Sequence, residues 1–181
     1  MYAIVDIETT GGFISGNHIT EIAILMHDGY KVTSHYQTLV NPGRSIPSYI
    51  TGLTGISNAM VASAPDFEEV AEEIYSHLQD RIFVAHNVNF DFQFVRQELS
   101  RFGWNLNCDK ICTISLSRKL FPGQPSYSLG KLCANMGIEL EDRHRAYGDA
   151  KATSILFDRL LEAGADEYIF RQIGKQRKFQ Q

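Results

Sequence analysis

The chain opens on Ala3-Ile4-Val5-Asp6-Ile7-Glu8, an apolar run broken twice by acids at alternate positions. Residues two apart on a strand share a face, so the carboxyls of Asp6 and Glu8 project together, roughly 6–7 Å apart. The strand is predicted over 2–11. Thr9-Thr10-Gly11-Gly12 follows as a turn that sets small groups beside the two acids. His18–Met26 and Lys31–Val40 read as further strands, joined through His27-Asp28-Gly29-Tyr30, whose Asp-Gly pair is a hairpin signal. Ile46–Met60 is dense in glycine and small polar residues and reads as a surface loop of short turns. Ser63-Ala64-Pro65-Asp66 reads as a helix start capped by Ser63, with Phe67, Val70, Ile74 and Leu78 as the inner stripe.

Arg81–Ala85 is a short apolar strand ending at His86-Asn87. A helix is predicted over Val88–Arg101, with Phe92, Val95 and Leu99 on one side. Cys108–Cys112 reads as strand, Thr113–Leu120 as helix, Phe121–Ser126 as loop and Ser128–Met136 as helix. The last long helix runs over Arg145–Ala163, with Ala152, Leu156, Leu160 and Ala163 inside. Hairpin strands first, then strands alternating with helices, describe an α/β chain: three antiparallel strands, then parallel ones, in a mixed sheet covered by helices. One domain is expected over 1–164, with a helical, basic tail over 165–181 carrying Lys175, Arg177 and Lys178.

Composition narrows the class. At 181 residues, 44% hydrophobic and 21% charged, the chain suits one well-filled core. A net charge of -4 disfavours coating long duplexes by phosphate neutralisation. It leaves room for a site that takes one nucleic-acid end with metals as the positive charge. Cys108, Cys112 and Cys133 lack zinc spacing and read as idle thiols in a reducing compartment. No apolar run reaches membrane-spanning length and no charged-then-apolar leader opens the chain, so a cytoplasmic protein without a membrane partner is expected.

Two like charges on a buried strand are costly unless a cation lies between them. Asp6 and Glu8 are therefore either metal ligands or a strand end wetted by solvent. Asp91, wedged between Phe90 and Phe92, and Asp149, entering the last long helix, fit helix N-termini as dipole-complementing charges. Four such carboxyls near the ends of adjacent elements also make a cage for magnesium or manganese. Two ions about 3.5–4 Å apart clamp an in-line displacement at phosphorus. His144 lies in the loop before Asp149, where an imidazole can take a proton from attacking water. His18, His27, His35 and His77 read as surface or core residues. His86 is left between capping the strand end and touching substrate.

Asp6-Ile7-Glu8-Thr9-Thr10-Gly11, His86-Asn87 with Phe90-Asp91, and His144-Arg145-Ala146 with Asp149-Ala150 together resemble the DEDDh branch of the DnaQ-like 3′–5′ exonucleases. That family includes the proofreading epsilon subunit of bacterial replicative DNA polymerase, on a ribonuclease H-like fold. The likeness spans nearly all of residues 2–163. It implies two divalent ions, Mg2+ or Mn2+, on Asp6, Glu8, Asp91 and Asp149, with His144 as general base. It also implies that Thr9, Thr10 and Gly11 hold the 3′-terminal nucleotide and that the Leu53-Thr54-Gly55-Ile56 stretch packs on its base. Leu53 and Ile56 serve equally as loop anchors in the core, and Asn87 either hydrogen-bonds the nucleotide or caps the following helix.

The leading expectation is a metal-dependent exonuclease acting on single-stranded or frayed DNA 3′ ends in proofreading or repair, with a DNA polymerase as a candidate partner. The alternatives are the same chemistry on RNA or oligoribonucleotides, and a module that binds single-stranded ends without cutting them. The tail shows no glutamine-plus-hydrophobic clamp-binding peptide and no long polymerase-binding extension. A stand-alone exonuclease, or the nuclease portion of something larger, is therefore expected.

Overall fold

In the computed structural model, which describes residues 1–178 and side chains as far as Ile173, β1 (Tyr2–Thr9) runs through the middle of a five-stranded sheet. It pairs antiparallel with β2 (Ile19–His27), which pairs antiparallel with β3 (Val32–Leu39). On its other side it pairs parallel with β4 (Ile82–Ala85), and β4 pairs parallel with β5 (Lys110–Cys112), giving the order β3-β2-β1-β4-β5. This is the predicted mixed sheet. The β2–β3 turn closes as expected, with the Asp28 carboxylate accepting from the backbone of Tyr30 and Lys31 at 2.8 and 2.9 Å.

Alternation along β1 separates the two faces. Ala3, Val5 and Ile7 join the core beneath α3 (Phe67–Leu78) and α4 (Val88–Arg101). Ile4 joins the opposite core, shared with α5 (Thr113–Leu120), α6 (Leu129–Met136), α7 (Ala146–Glu162) and α8 (Ala165–Lys178). Asp6 and Glu8 have the parity of Ile4, and so face α7. β2 repeats the pattern. Ile22, Ile24 and Met26 face α3 and α4, while Ala23 and Leu25 face α7.

Several expected details change. Ile46–Met60 is not a plain loop: it holds two short helices, α1 (Ser48–Thr54) and α2 (Asn58–Val61), over a small core of Ile46, Ile50, Ile56 and Val61. The cap of α3 is Asp66, not Ser63. Its carboxylate accepts from Glu69 N–H at 3.1 Å, and the Glu69 side chain accepts from Asp66 N–H at 2.9 Å. A reciprocal box satisfies two orphan donors at once, which a hydroxyl three residues earlier cannot do. Ala163 caps α7 and is exposed, because the chain has already begun to turn toward α8. Ala165 and Ile169 bury α8 on the α7 side, and Gln172 Nε2 donates to Lys110 O at 3.2 Å, covering the open edge of β5. The side chains of Lys175, Arg177 and Lys178 lie outside the described residues. Among those described, no helix is long and apolar enough to cross a membrane.

Candidate active site

Three parallel strand ends define where polar side chains can gather. β1, β4 and β5 finish on the same edge of the sheet, and α4 and α7 begin there. β1 pairs with β4 only as far as Ile4, so its last residues stand free of that neighbour. Asp6 and Glu8 occupy this free end and are partly buried. Asp91, buried in the first turn of α4, receives a backbone N–H from Ile7, between the two strand acids. Asp149, in the first turn of α7, is partly buried; its Oδ2 accepts from His144 N–H at 3.3 Å.

The expected acids therefore meet. Glu8, His144 and Asp149 place a ligand atom each within 4.8 Å of the others, the one such trio among the described residues. Asp6 lies close enough to Asp91, Asp149 and Glu8 for all three to raise its pKa, after burial as the leading cause. Burial, then the charges of Asp149, Glu21 and Asp91, pushes Glu8 up to about 8, and Arg145 pulls the other way. Burial pushes Asp91 up to about 8, against the N–H groups of Asp91 itself and Ile7. Asp149 is raised by burial, against the backbone and charge of His144 and the charge of Arg143.

Two carboxyls on β1 and one in the first turn of each of α4 and α7 repel one another and form a donor set suited to a cation. Asp149 Oδ1 is buried and has no hydrogen-bond partner among the described residues. Hard oxygen donors of this number, with one imidazole at hand, fit a divalent cation.

The His144 loop is built with strain. His144 and Asp142 both have positive φ, +63° and +47°, a region L-residues adopt uncommonly. The loop lies directly on α7, so that a Cβ at Gly148 would sit 2.2 Å from Glu141 O and 2.6 Å from Asp142 O. Glycine at 148 is what lets the histidine reach the carboxyls.

The residues expected to hold substrate divide. Thr9 Oγ1 donates to Gly11 O at 2.8 Å. Thr10 Oγ1 donates to Asn17 Oδ1 and accepts from His18 N–H, both at 3.0 Å. Both hydroxyls thus tie the loop after β1 to itself, and Gly11 is buried against the Asn17 amide. Thr54 is buried and donates to Ile50 O at 3.0 Å, whereas Leu53 is 54% exposed. Ile56 is fully buried, so it takes the anchoring role and leaves Leu53 free. Asn87 is the N-cap residue of α4 by position, with φ +77°, but its side chain makes no capping bond and is exposed. His86 is structural: Nδ1 meets Thr113 Oγ1 at 2.9 Å and Nε2 meets Tyr127 O at 2.8 Å.

The residue missed in the sequence is Glu21, buried on β2 directly opposite Glu8. It accepts from Arg145 Nε at 3.0 Å, Arg145 Nη2 at 2.6 Å and Ala146 N–H at 2.9 Å. A lone acid in the run Ile19-Thr20-Glu21-Ile22-Ala23-Ile24 was the available signal.

Residues 3–157 match the family described as Exonuclease (RNase_T), and the chain belongs to that family. It is 39% identical over 163 residues to the 3′-5′ exonuclease DinG of Bacillus subtilis (strain 168), covering 89% of this chain and 18% of that protein. It is 36% identical over 162 residues to the DNA polymerase III subunit epsilon of Aquifex aeolicus (strain VF5), covering 89% of this chain and 80% of the relative. A solved structure of exonuclease X in complex with 5′ overhanging duplex DNA aligns with a TM-score of 0.72 at 30% identity, over 91% of this chain and 93% of that one. The chain thus spans less than a fifth of DinG but most of the epsilon subunit.

Proposed function

We propose that this chain is a 3′–5′ exonuclease that hydrolyses the terminal phosphodiester of DNA 3′ ends and releases nucleoside monophosphates. The observation that carries the reading is the meeting of Asp6, Glu8, Asp91 and Asp149 with His144 at one sheet edge. The four carboxyls would hold two divalent ions, Mg2+ or Mn2+. When bound, such ions supply the positive charge that polarises the scissile phosphate and acidifies water.

The chain's own residues do the rest. The carboxyls, raised in pKa by burial and by one another, present four acidic side chains within a small volume. His144 takes the proton of the attacking water at a ring nitrogen, beside Glu8 and Asp149. Thr9, Thr10 and Asn17 brace the loop after β1, against which the terminal nucleotide would rest. Exposed Leu53 offers an apolar face to a terminal base without reading its identity. Likeness to an epsilon subunit supports service to a polymerase, and likeness to 18% of the length of DinG supports the nuclease portion of something larger.

The test offers matched DNA and RNA oligonucleotides, 3′-labelled, single-stranded or mispaired at the end, with each metal or with chelator. Stepwise loss of label from DNA, dependent on metal, is expected. Preference for RNA would overturn the substrate assignment, and release independent of metal would overturn the mechanism.

A further inference from the structure

We infer that Glu21 is a positioning residue of this site, acting through Arg145 to hold His144 over the carboxyls. The inference rests on the reading of His144 as general base.

Every residue of β2 is buried, and a carboxylate there is tolerated only if its oxygens are satisfied. Glu21 is moreover the register partner of Glu8, and like charges directly opposite on a ladder repel. Placed there without compensation, Glu21 would oppose both the sheet and the site. Arg145 supplies the compensation as a two-pronged fork at 3.0 and 2.6 Å, the geometry in which guanidinium and carboxylate pair most strongly. The same carboxylate takes Ala146 N–H, the first free donor of α7.

The consequence falls on the neighbouring residue. His144 sits in the left-handed region, which persists only where surroundings hold it. Its neighbouring fixings include its own N–H to Asp149 Oδ2, Arg145 N–H to Asp142 O at 3.1 Å, and the Glu21 fork one residue on. Among the described residues, the hydrogen bonds that tie this segment to the sheet carrying Asp6 and Glu8 all end on Glu21: the fork from Arg145 and the Ala146 N–H. Glu21 therefore sets the distance between the imidazole and the strand acids without facing substrate itself.

The experiment combines hydrogen exchange on the metal-free protein with a kinetic cycle of Glu21→Gln, His144→Ala and the double variant. In Glu21→Gln, amides of residues 141–146 should exchange at least about tenfold faster, with those of β1 and β4 unchanged. Turnover should fall about tenfold or more with KM within about twofold. In the His144→Ala background, Glu21→Gln should change nothing further, because its effect passes through that side chain. Arg145→Lys keeps the charge but loses the fork, and should reproduce both effects if Glu21→Gln folds poorly. Unchanged exchange over 141–146, or kinetic effects that multiply in the double variant, would overturn the inference. Undiminished turnover in His144→Ala alone would instead overturn the reading of His144 as base, while exchange still reports on the fork.

Discussion

Glu8 on the first strand and Asp149 on α7 bring carboxyl oxygens within 4.8 Å of each other, with an imidazole nitrogen of His144 inside the same span. Nothing in local sequence joins them. The crossover from β4 through α4 to β5, followed by α5, α6 and α7, carries the last acid back over the face that β1 presents.

The pH dependence of stability follows from this crowding. Glu8 and Asp91 lie near 8 in the folded chain, against ordinary values of 4.5 and 3.8, and Asp6 and Asp149 are raised as well. Between about pH 4 and pH 8 the folded state keeps protons that the unfolded chain has released, so stability falls as pH rises through that window. In chelator, the melting temperature should be lower at about pH 8.5 than at about pH 6, and saturating Mg2+ should remove most of the difference. Thermal melts across pH with and without metal check this; a melting temperature that rises over the window in chelator would count against it.

Gly148→Ala tests the seat of the histidine loop. The added methyl meets two backbone carbonyls, neither of which can swing aside as a side chain does. A loss of about 1–3 kcal/mol in denaturant unfolding is expected, together with a fall in turnover larger than any change in KM. An unchanged unfolding midpoint would show that the loop does not rest there.

Leu53 and Ile56 should part company. Ile56→Ala opens a cavity in the small core under α1 and α2 and should cost about 2–5 kcal/mol. Leu53→Ala removes an exposed side chain, so the unfolding free energy should move by no more than about 0.5 kcal/mol while KM for single-stranded DNA rises several-fold. Equal KM for Leu53→Ala and the parent would remove Leu53 from the substrate surface.

Much of this was legible before any coordinates. α4 and α5 begin and end where periodicity and the flanking turns place them. The central strand with two acids, the mixed sheet and the two helix-entry acids were also readable. Other features required three dimensions. Asp66 and Ser63 both satisfy a cap pattern on paper, and only the reciprocal Glu69 bond decides between them. Thr9, Thr10 and Thr54 read as substrate contacts by resemblance, and only the folded chain shows their hydroxyls bonded within their own loops and helix. Glu21 was hidden because its meaning lies in register with Glu8 and in Arg145, 124 residues away.

His144→Ala separates proton transfer from binding. Loss of the base should lower turnover about 10²-fold or more and leave nucleic-acid affinity, measured in Ca2+ to prevent cleavage, within about threefold. A matching loss of affinity would make the histidine a binding residue.

The shared cation site is tested most directly by titrating Mn2+ into the metal-free protein and into Asp6→Asn, Asp91→Asn and Asp149→Asn. Each substitution, though drawn from a different part of the chain, should weaken Mn2+ binding at least about tenfold while the fold persists. Parent-like Mn2+ affinity in Asp91→Asn or Asp149→Asn would contradict a single site assembled from all three.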